Sequence, residues 1–449
     1  MQSINPFTGE RIATYEQDAY EIIDQKLAQA ESSFSEWKST PLSDKCGLVS
    51  NLGKSLIANK EDLAQLAVSE MGKPISQAVA EVEKCAWLCE HYSKNAPTYL
   101  SRNEIKTEAA KSWVDYEPLG VILGIMPWNF PYWQVIRFAV PTVLASNTTL
   151  LKHASNVTGC AEAIEGIFRK AGFPTGVFSH LKLSGNKTSE IIKDHRIRAV
   201  SLTGSENAGK SVASAAGSVL KKCVLELGGS NAFVILNDAK LDFIMDAAVN
   251  GRIQNNGQSC IAAKRFIVQE GIYNDFKNRL IRRFEELNVG DPSNPLTDIG
   301  PLARVDLAIE LENQLNSSLK KGAKLLVGGS REGALFQPTI IENSLPGMPC
   351  FDQETFGPLA ALTRVNSAEE AINLANRSNF GLGATICSGS IQNSIELGKE
   401  IEDGAVFVNE MVKSDPRLPF GGTKISGYGR ELGAWGIREF TNVKTYFVK

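Results

Sequence analysis

The chain has 449 residues, 43% of them hydrophobic, and a formal net charge of −3, so it can bury a large core, and its length predicts two domains. A pI near 6.0 and basic residues scattered along the chain argue against nucleic acid or an anionic membrane as partner. The opening MQSINPFTGE lacks a charged-then-apolar signal, and no run approaches the ~18 uninterrupted apolar residues of a spanning helix, so the expected setting is cytoplasmic.

In chain order, residues 19–38, 43–73 and 75–94 read as helices. In the third, Ile75, Val79, Val82, Ala86 and Cys89 recur every three or four positions, a stripe that should pack on a sheet. A break is expected at Asn95 to Pro97, followed by IKTEAAKSWVDYEPLG (105–120), a polar excursion around a short β-like run. The tail TNVKTYFVK (441–449) is similarly β-rich. From Gly120 the pattern alternates: the strand GVILGIM, a helix near 132–145, NTTLLKHAS, a helix near 158–171, VFSHLKLSG, a helix near 187–194, and AVSLTGS. Such alternation predicts an α/β fold with a parallel, doubly wound sheet and a ligand at the strand C-termini. A second α/β set begins at NAFVILND (231–238) and continues through RFIVQ, KLLVGG, a segment near 360–365, GATICSG and AVFVNEM (405–411).

The eight cysteines, at 46, 85, 89, 160, 223, 260, 350 and 387, form no CxxC pair. They fit a reducing compartment without disulfides. Cys85 and Cys89 read as the buried face of a helix. His91, His153, His180 and His195 show no metal spacing, so no metal is expected, and neither a zinc mechanism nor a Cys-His hydrolase gains support.

Three residues carry candidate chemistry. Cys260, in GQSCIAAKR (257–265), follows a Gly and two small polar residues and precedes a β-branched run, which places its thiol on a loop before a strand. A lone cysteine is more often a small buried hydrophobe. Glu226 ends the apolar run of VLELGGSN beside Gly228 and Gly229; the bland alternative is a solvated carboxylate, or one paired with Lys221 or Lys222. Asn129 lies between GVILGIM and Pro131 with two amide donors to offer, or is simply a turn residue. SLTGSENAGKS (201–211) adds a strand, a Gly-rich turn and a helix start suited to a phosphate. It also satisfies GxxxxGK[ST] through Lys210, with FVILND imitating an acidic strand partner, so an NTPase phosphate loop stands as a rival.

Together PWNFP, LELGGSN, GQSC, ETFGP (354–358) and PFGGTKISGYGRE (419–431) resemble the NAD(P)-dependent aldehyde dehydrogenases, most of all the short bacterial succinate-semialdehyde dehydrogenases. The likeness runs from INPFTGE to the last strand, and an NTPase would explain none of PWNFP, GQSC or ETFGP. It implies an NAD(P)-binding domain of Rossmann type at 1–104 and 121–226, with a return at 418–435. It further implies a catalytic domain at 227–417 and a small β oligomerisation arm at 105–120 and 436–449, hence a homodimer or homotetramer. Cys260 would be the nucleophile, Glu226 the base for thioester hydrolysis, and Asn129 with the Cys260 N–H the oxyanion donors.

By the same resemblance Gly204 and Ser205 would meet the pyrophosphate, Lys152 the adenosine ribose, Trp128 and Phe356 the nicotinamide, and Glu354 its ribose, with Leu227 lining the site. The alternatives are a surface charge for Lys152, core aromatics for Trp128 and Phe356, and a helix-start residue for Glu354. Three residues after Lys152, where NAD-preferring relatives often carry Glu, this chain has Ser155. A hydroxyl removes repulsion of a 2′-phosphate, which favours NADP while admitting NAD.

Trp133 and Arg137, four apart on one helix face beside Asn129, would suit a small aldehyde with a distal carboxylate. The other reading is a buried Arg paired with a protein acid. Lys413 and Ser414 would complete the pocket. The expected reaction is oxidation of succinate semialdehyde to succinate through a Cys260 thiohemiacetal and thioester. Glutarate semialdehyde or an uncharged aldehyde is the nearest alternative, and a catalytically silent scaffold a distant one.

Overall fold

The computed structural model describes residues 1–449, the side chain of Asn186 excepted. Its fold is α/β, built on two parallel sheets, each with one antiparallel edge strand. In the first, Phe178–His180, Thr148–His153, Val121–Met126, Ile197–Thr203 and Lys222–Glu226 lie parallel in that spatial order, and Gly427–Tyr428 closes the far edge antiparallel. Val121–Met126 is buried at every position, as expected of a central strand covered by helices on both faces. The strand order reverses beside it, and there the Asn129 loop and the Gly204 turn leave the sheet.

The second sheet runs Lys324–Val327, Thr339–Glu342, Leu359–Val365, Ala263–Gln269, Asn231–Ile235, Ala384–Cys387 and Val406–Val408, parallel but for the first strand. Helices Leu241–Ile253, Glu270–Glu285, Val305–Lys320, Ala368–Asn376 and Ile391–Gly398 cover it. Lys222–Glu226 ends the last parallel strand of one sheet, and Asn231–Ile235 opens the other after four residues, so Glu226 sits at the seam. A third sheet pairs Thr441–Val448 with Lys111–Pro118, which also pairs Asn103–Glu104.

Two helix expectations need correction. The span 43–73 is two helices, Leu42–Ala58 and Lys60–Met71, divided at Asn59, which leaves helical geometry at φ −115° and donates its side-chain amide to Ser55 O at 2.7 Å. The break expected at Asn95 to Pro97 does not occur. The helix continues from Ile75 to Tyr99, because Pro97 falls in its last turn, where its missing N–H costs a single bond, to the Ser93 carbonyl.

Buried carboxylates fasten helix ends to this frame. Glu70 accepts from the N–H groups of Gly159 (3.0 Å) and Cys160 (2.9 Å) at the start of Thr158–Lys170. Glu81 accepts from Tyr132 N at 2.9 Å and Trp133 N at 2.8 Å, and is bonded by the Lys73 ammonium. Lys73 and Glu81 are both buried, and Lys73 also lies over the Phe130 ring at 4.1 Å. Removing one partner of such a pair costs about 3–5 kcal/mol. Lys73→Met should therefore lower the melting temperature clearly, and an unchanged calorimetric transition would show that the two backbone bonds suffice to hold Glu81.

Candidate active site

The turn that leads to Cys260 is an unusual piece of backbone. Asn255, Asn256 and Gly257 have φ of 58°, 57° and 72°, three successive left-handed residues of the types that tolerate that region. Asn255 Nδ2 donates to Asn129 O (2.7 Å) and Gln258 O (2.9 Å), and Asn256 Nδ2 to Gly72 O (2.9 Å) and Pro301 O (2.8 Å). At Gly257 a Cβ would lie 2.3 Å from Gly357 O, so the ETFGP loop presses directly on this turn. Cys260 emerges from it partly exposed, whereas six of the other seven cysteines are buried. Burial raises its thiol to about 11, with Lys264 and then Arg137 opposing, so the resting group is a neutral thiol.

Asn129 is buried, and its Nδ2 donates to Gln258 O at 3.1 Å, two residues before Cys260. That bond uses one of its two amide hydrogens. Among the described residues the Cys260 N–H donates to no backbone or side-chain acceptor. The Asn129 amide, reaching across from its own loop, and the Cys260 N–H therefore both have capacity left for an oxyanion.

Glu226 is buried, and neither carboxyl oxygen has a hydrogen-bond partner. Burial holds its carboxyl well above the usual range; Glu431 adds to the shift, and Arg137 and Arg430 oppose it. The neighbour comes from the end of the PFGGTKISGYGRE stretch. Glu431 Oε2 lies 2.5 Å from Arg137 Nε, near enough for an ion pair though not aligned as a hydrogen bond. Burial raises Glu431 as well. Glu226 is thus the carboxyl left without a cation of its own, and its burial favours the protonated form.

Lys264 joins the motifs. Its buried ammonium bonds to Gly229 O, to Cys260 O at 3.0 Å and to Glu354 Oε1 at 2.7 Å, and the same oxygen accepts from Gly229 N at 3.1 Å. Gly228 must be glycine, since a Cβ there would stand 2.5 Å from Glu354 Oε2. Reading the sequence assigned no role to Lys264, Glu431 or Glu81; the only available signal was a charge set inside an otherwise apolar motif.

Most residues expected to hold a dinucleotide lie along the strand C-termini of the first sheet, and Glu354 and Phe356 come from the loop before Leu359–Val365 of the second. Ser205 caps helix Glu206–Gly217, its Oγ accepting from Ala208 N at 3.3 Å. Gly204 N donates to Glu226 O at 3.0 Å, and Leu227 packs against Gly209 of the same helix. Trp128 and Phe356 meet edge to face at 5.6 Å. Lys152 is half-buried, and burial lowers its ammonium. Among the described residues it forms no ion pair or hydrogen bond, while Ser155 beyond it is exposed. An unpaired, partly desolvated ammonium at a sheet's C-terminal edge fits the hydroxyls and phosphates of a dinucleotide. Lys210, the residue on which the NTPase rival depends, is bonded to Glu206 on an exposed face.

The substrate expectations divide. Trp133 and Ser414 are buried, and the Lys84 ammonium joins them, donating to Ser414 Oγ at 3.1 Å and lying 4.2 Å over the Trp133 ring. Arg137 does not present a free guanidinium. It is buried, paired with Glu431, bonded to Thr203 Oγ1 at 3.3 Å and set 4.8 Å from the Phe420 ring, the alternative of an Arg held by a protein acid. Lys413 also departs from expectation: it points outward and pairs with Glu410 at 2.9 Å, because the extended segment that turns Ser414 inward turns its neighbour to solvent.

Comparison with known proteins agrees along the whole chain. Two curated relatives match 99% of it: a probable succinate-semialdehyde dehydrogenase [NADP(+)] of Synechocystis sp., 47% identical and covered over 99% of its length, and a succinate semialdehyde dehydrogenase [NAD(P)+] of Escherichia coli, 46% identical and covered over 96%. A crystal structure of succinic semialdehyde dehydrogenase from Streptococcus pyogenes in complex with NADP+ superposes with a TM-score of 0.97 at 35% identity, over 100% of this chain and 99% of that one. With the pattern of the aldehyde dehydrogenase family matched over residues 1–446, this chain belongs to that family.

Proposed function

We propose that the chain oxidises succinate semialdehyde to succinate with NADP+ or NAD+, through a covalent adduct on Cys260. The observation that carries the proposal is Glu226, a buried carboxyl without a hydrogen-bond partner, set at the seam beside the turn that bears the thiol. No structural purpose is served by an unsatisfied acid there, whereas a base for deacylation needs that environment. The similarity to relatives named for this substrate supports the choice of aldehyde.

Cys260 Sγ, once deprotonated, adds to the aldehyde carbon, and Asn129 Nδ2 with the Cys260 N–H holds the resulting oxyanion. A nicotinamide held beside Trp128 and Phe356 would supply the hydride acceptor through which the adduct on Cys260 becomes a thioester. Glu226 then takes a proton from water as it attacks the thioester carbon, and the C–S bond breaks to return the thiolate. Lys264 keeps the Cys260 carbonyl and the Glu354 carboxylate in fixed relation throughout. The third sheet leaves Val443, Phe447 and Val448 60%, 55% and 44% exposed, apolar surface suited to joining subunits in a homodimer or homotetramer.

Cys260→Ala should abolish oxidation while NADP+ binding survives; turnover above about a percent of wild type would reassign the nucleophile. In Glu226→Gln a rapid burst of about one NADPH per site should persist while steady turnover falls about 10²–10⁴-fold. Because Glu226 is raised and must lose its proton to act, wild-type kcat should climb with pH above the ordinary carboxylate range, and a flat profile would remove it from the rate-limiting step.

Ser155→Glu should weaken kcat/KM for NADP+ selectively, by placing a carboxylate against the 2′-phosphate. Equal losses with NAD+ would show that position 155 does not meet that group. Deleting 441–449 should shift the light-scattering mass to the monomer, and an unchanged mass would release this strand from assembly.

A further inference from the structure

Lys264 enters the strand Ala263–Gln269 just after the Cys260 turn, and its side chain is fully buried. Its Nζ donates to Gly229 O, to the carbonyl of Cys260 itself at 3.0 Å and to Glu354 Oε1 at 2.7 Å. An ammonium has three hydrogens and a neutral amine two, so a set of three acceptors holds the charged form in place. A full positive charge is thereby fixed, without water, against the residue that carries the thiol.

The neighbouring ion pair shows why this charge is felt. Arg137 and Glu431 are 2% and 7% exposed, so both charges of that pair sit in the same dry interior and largely cancel at a distance. In the Lys264 pair the ammonium is wholly enclosed while the Glu354 side chain is 22% exposed. Solvent screens the carboxylate and not the cation, which leaves a net positive field toward the Cys260 turn.

The geometry points to Lys264 as the positioning residue that sets the reactivity of Cys260, with Glu354 as its restraint: the enclosed ammonium stabilises the thiolate, and the carboxylate withdraws part of that field. The inference rests on Cys260 as the reacting thiol and adds what makes it ionise.

The balance of charges agrees. Burial raises the Cys260 thiol to about 11; Lys264 opposes most strongly, then Arg137, whereas Glu354 and Glu226 add to the rise. Arg252, on helix Leu241–Ile253, bonds Gly257 O at 2.6 Å and acts on Lys264, whose ammonium is lowered by burial and supported by Glu354. Arg137, Arg252 and Glu226 are unchanged in the variants below, so the comparison isolates the Lys264 and Glu354 charges.

The test is alkylation of the free enzyme by iodoacetamide, an uncharged reagent, at about pH 8, with modification of Cys260 and of the half-buried Cys46 followed separately by peptide mass. The thiolate sulfur forms the new S–C bond, iodide leaves and the thiol proton goes to buffer. The rate follows the thiolate fraction, offset in part because a more acidic thiol is a weaker nucleophile, so an about tenfold change in that fraction changes the rate about threefold. Lys264→Met should slow Cys260 by about threefold or more, and Glu354→Gln should speed it by about threefold, with Cys46 unaltered in both. A pair that only braces the turn would move both variants in the same direction. That result, or an unchanged rate in either variant, would overturn the role of Lys264. If Lys264→Met fails to fold, Glu354→Gln decides alone, since the amide keeps an acceptor oxygen and removes the charge: a rate that does not rise overturns the proposal. Neither aldehyde nor cofactor takes part, so this outcome stands apart from the turnover of Cys260→Ala, which tests the reaction itself.

Discussion

The site depends on a carboxylate that never meets the chemistry. Glu81 accepts two backbone N–H groups from the first turn of the helix after Asn129, and Lys73 neutralises it from below while covering Phe130. A helix start has unsatisfied donors, and a buried one needs an acceptor supplied by another element. Glu81 comes from the helix Ile75–Tyr99, so the Asn129 loop, Trp133 and Lys84 are all referred to a single rod. A change in how that helix sits would move the amide of Asn129 and the Trp133 ring together.

Around this frame, desolvation sets the reactivity. Burial favours the protonated form of both Cys260 and Glu226, the thiol pushed up to about 11 and the carboxyl held well above its ordinary range. Neither is ready to react until charge arrives or a proton leaves, which protects the thiol from idle oxidation. The electrostatic partners are shared: Arg137 opposes the upward shift at Cys260, Glu226 and Glu431 alike. A single buried guanidinium therefore tunes three groups while belonging to one of them by contact.

Lys264 plays the corresponding part toward the cofactor side. By bonding the carbonyls of Gly229 and Cys260 and the carboxylate of Glu354, it couples the turn after Glu226, the Cys260 turn and the loop expected at the nicotinamide ribose. The close approach of Gly257 to Gly357 and of Gly228 to Glu354 makes these loops one packed unit. Motifs far apart in the chain are thereby parts of one structure a few side chains across.

Much of this was legible in the residues. Alternating apolar runs announce two parallel sheets, because a strand covered on both faces must be apolar throughout. The turn chemistry of GQSC, LELGGSN and PWNFP puts Cys260, Glu226 and Asn129 on loops at strand ends. Periodicity was less able to see the break at Asn59 or the passage of the helix through Pro97, where one local hydrogen bond decides the outcome. Charges were the least legible. Arg137 and Lys413 stand in the expected stretches of sequence, yet one is taken by Glu431 and the other faces solvent beside Glu410. Lys84, which forms no ion pair among the described residues and bonds Ser414, comes from a helix whose pattern reads only as a packing stripe. The sequence determines which residues are apolar, which turns are tight and which groups can react; which cation is neutralised and which is left for a ligand is a matter of contacts between distant segments, and only the tertiary structure decides it.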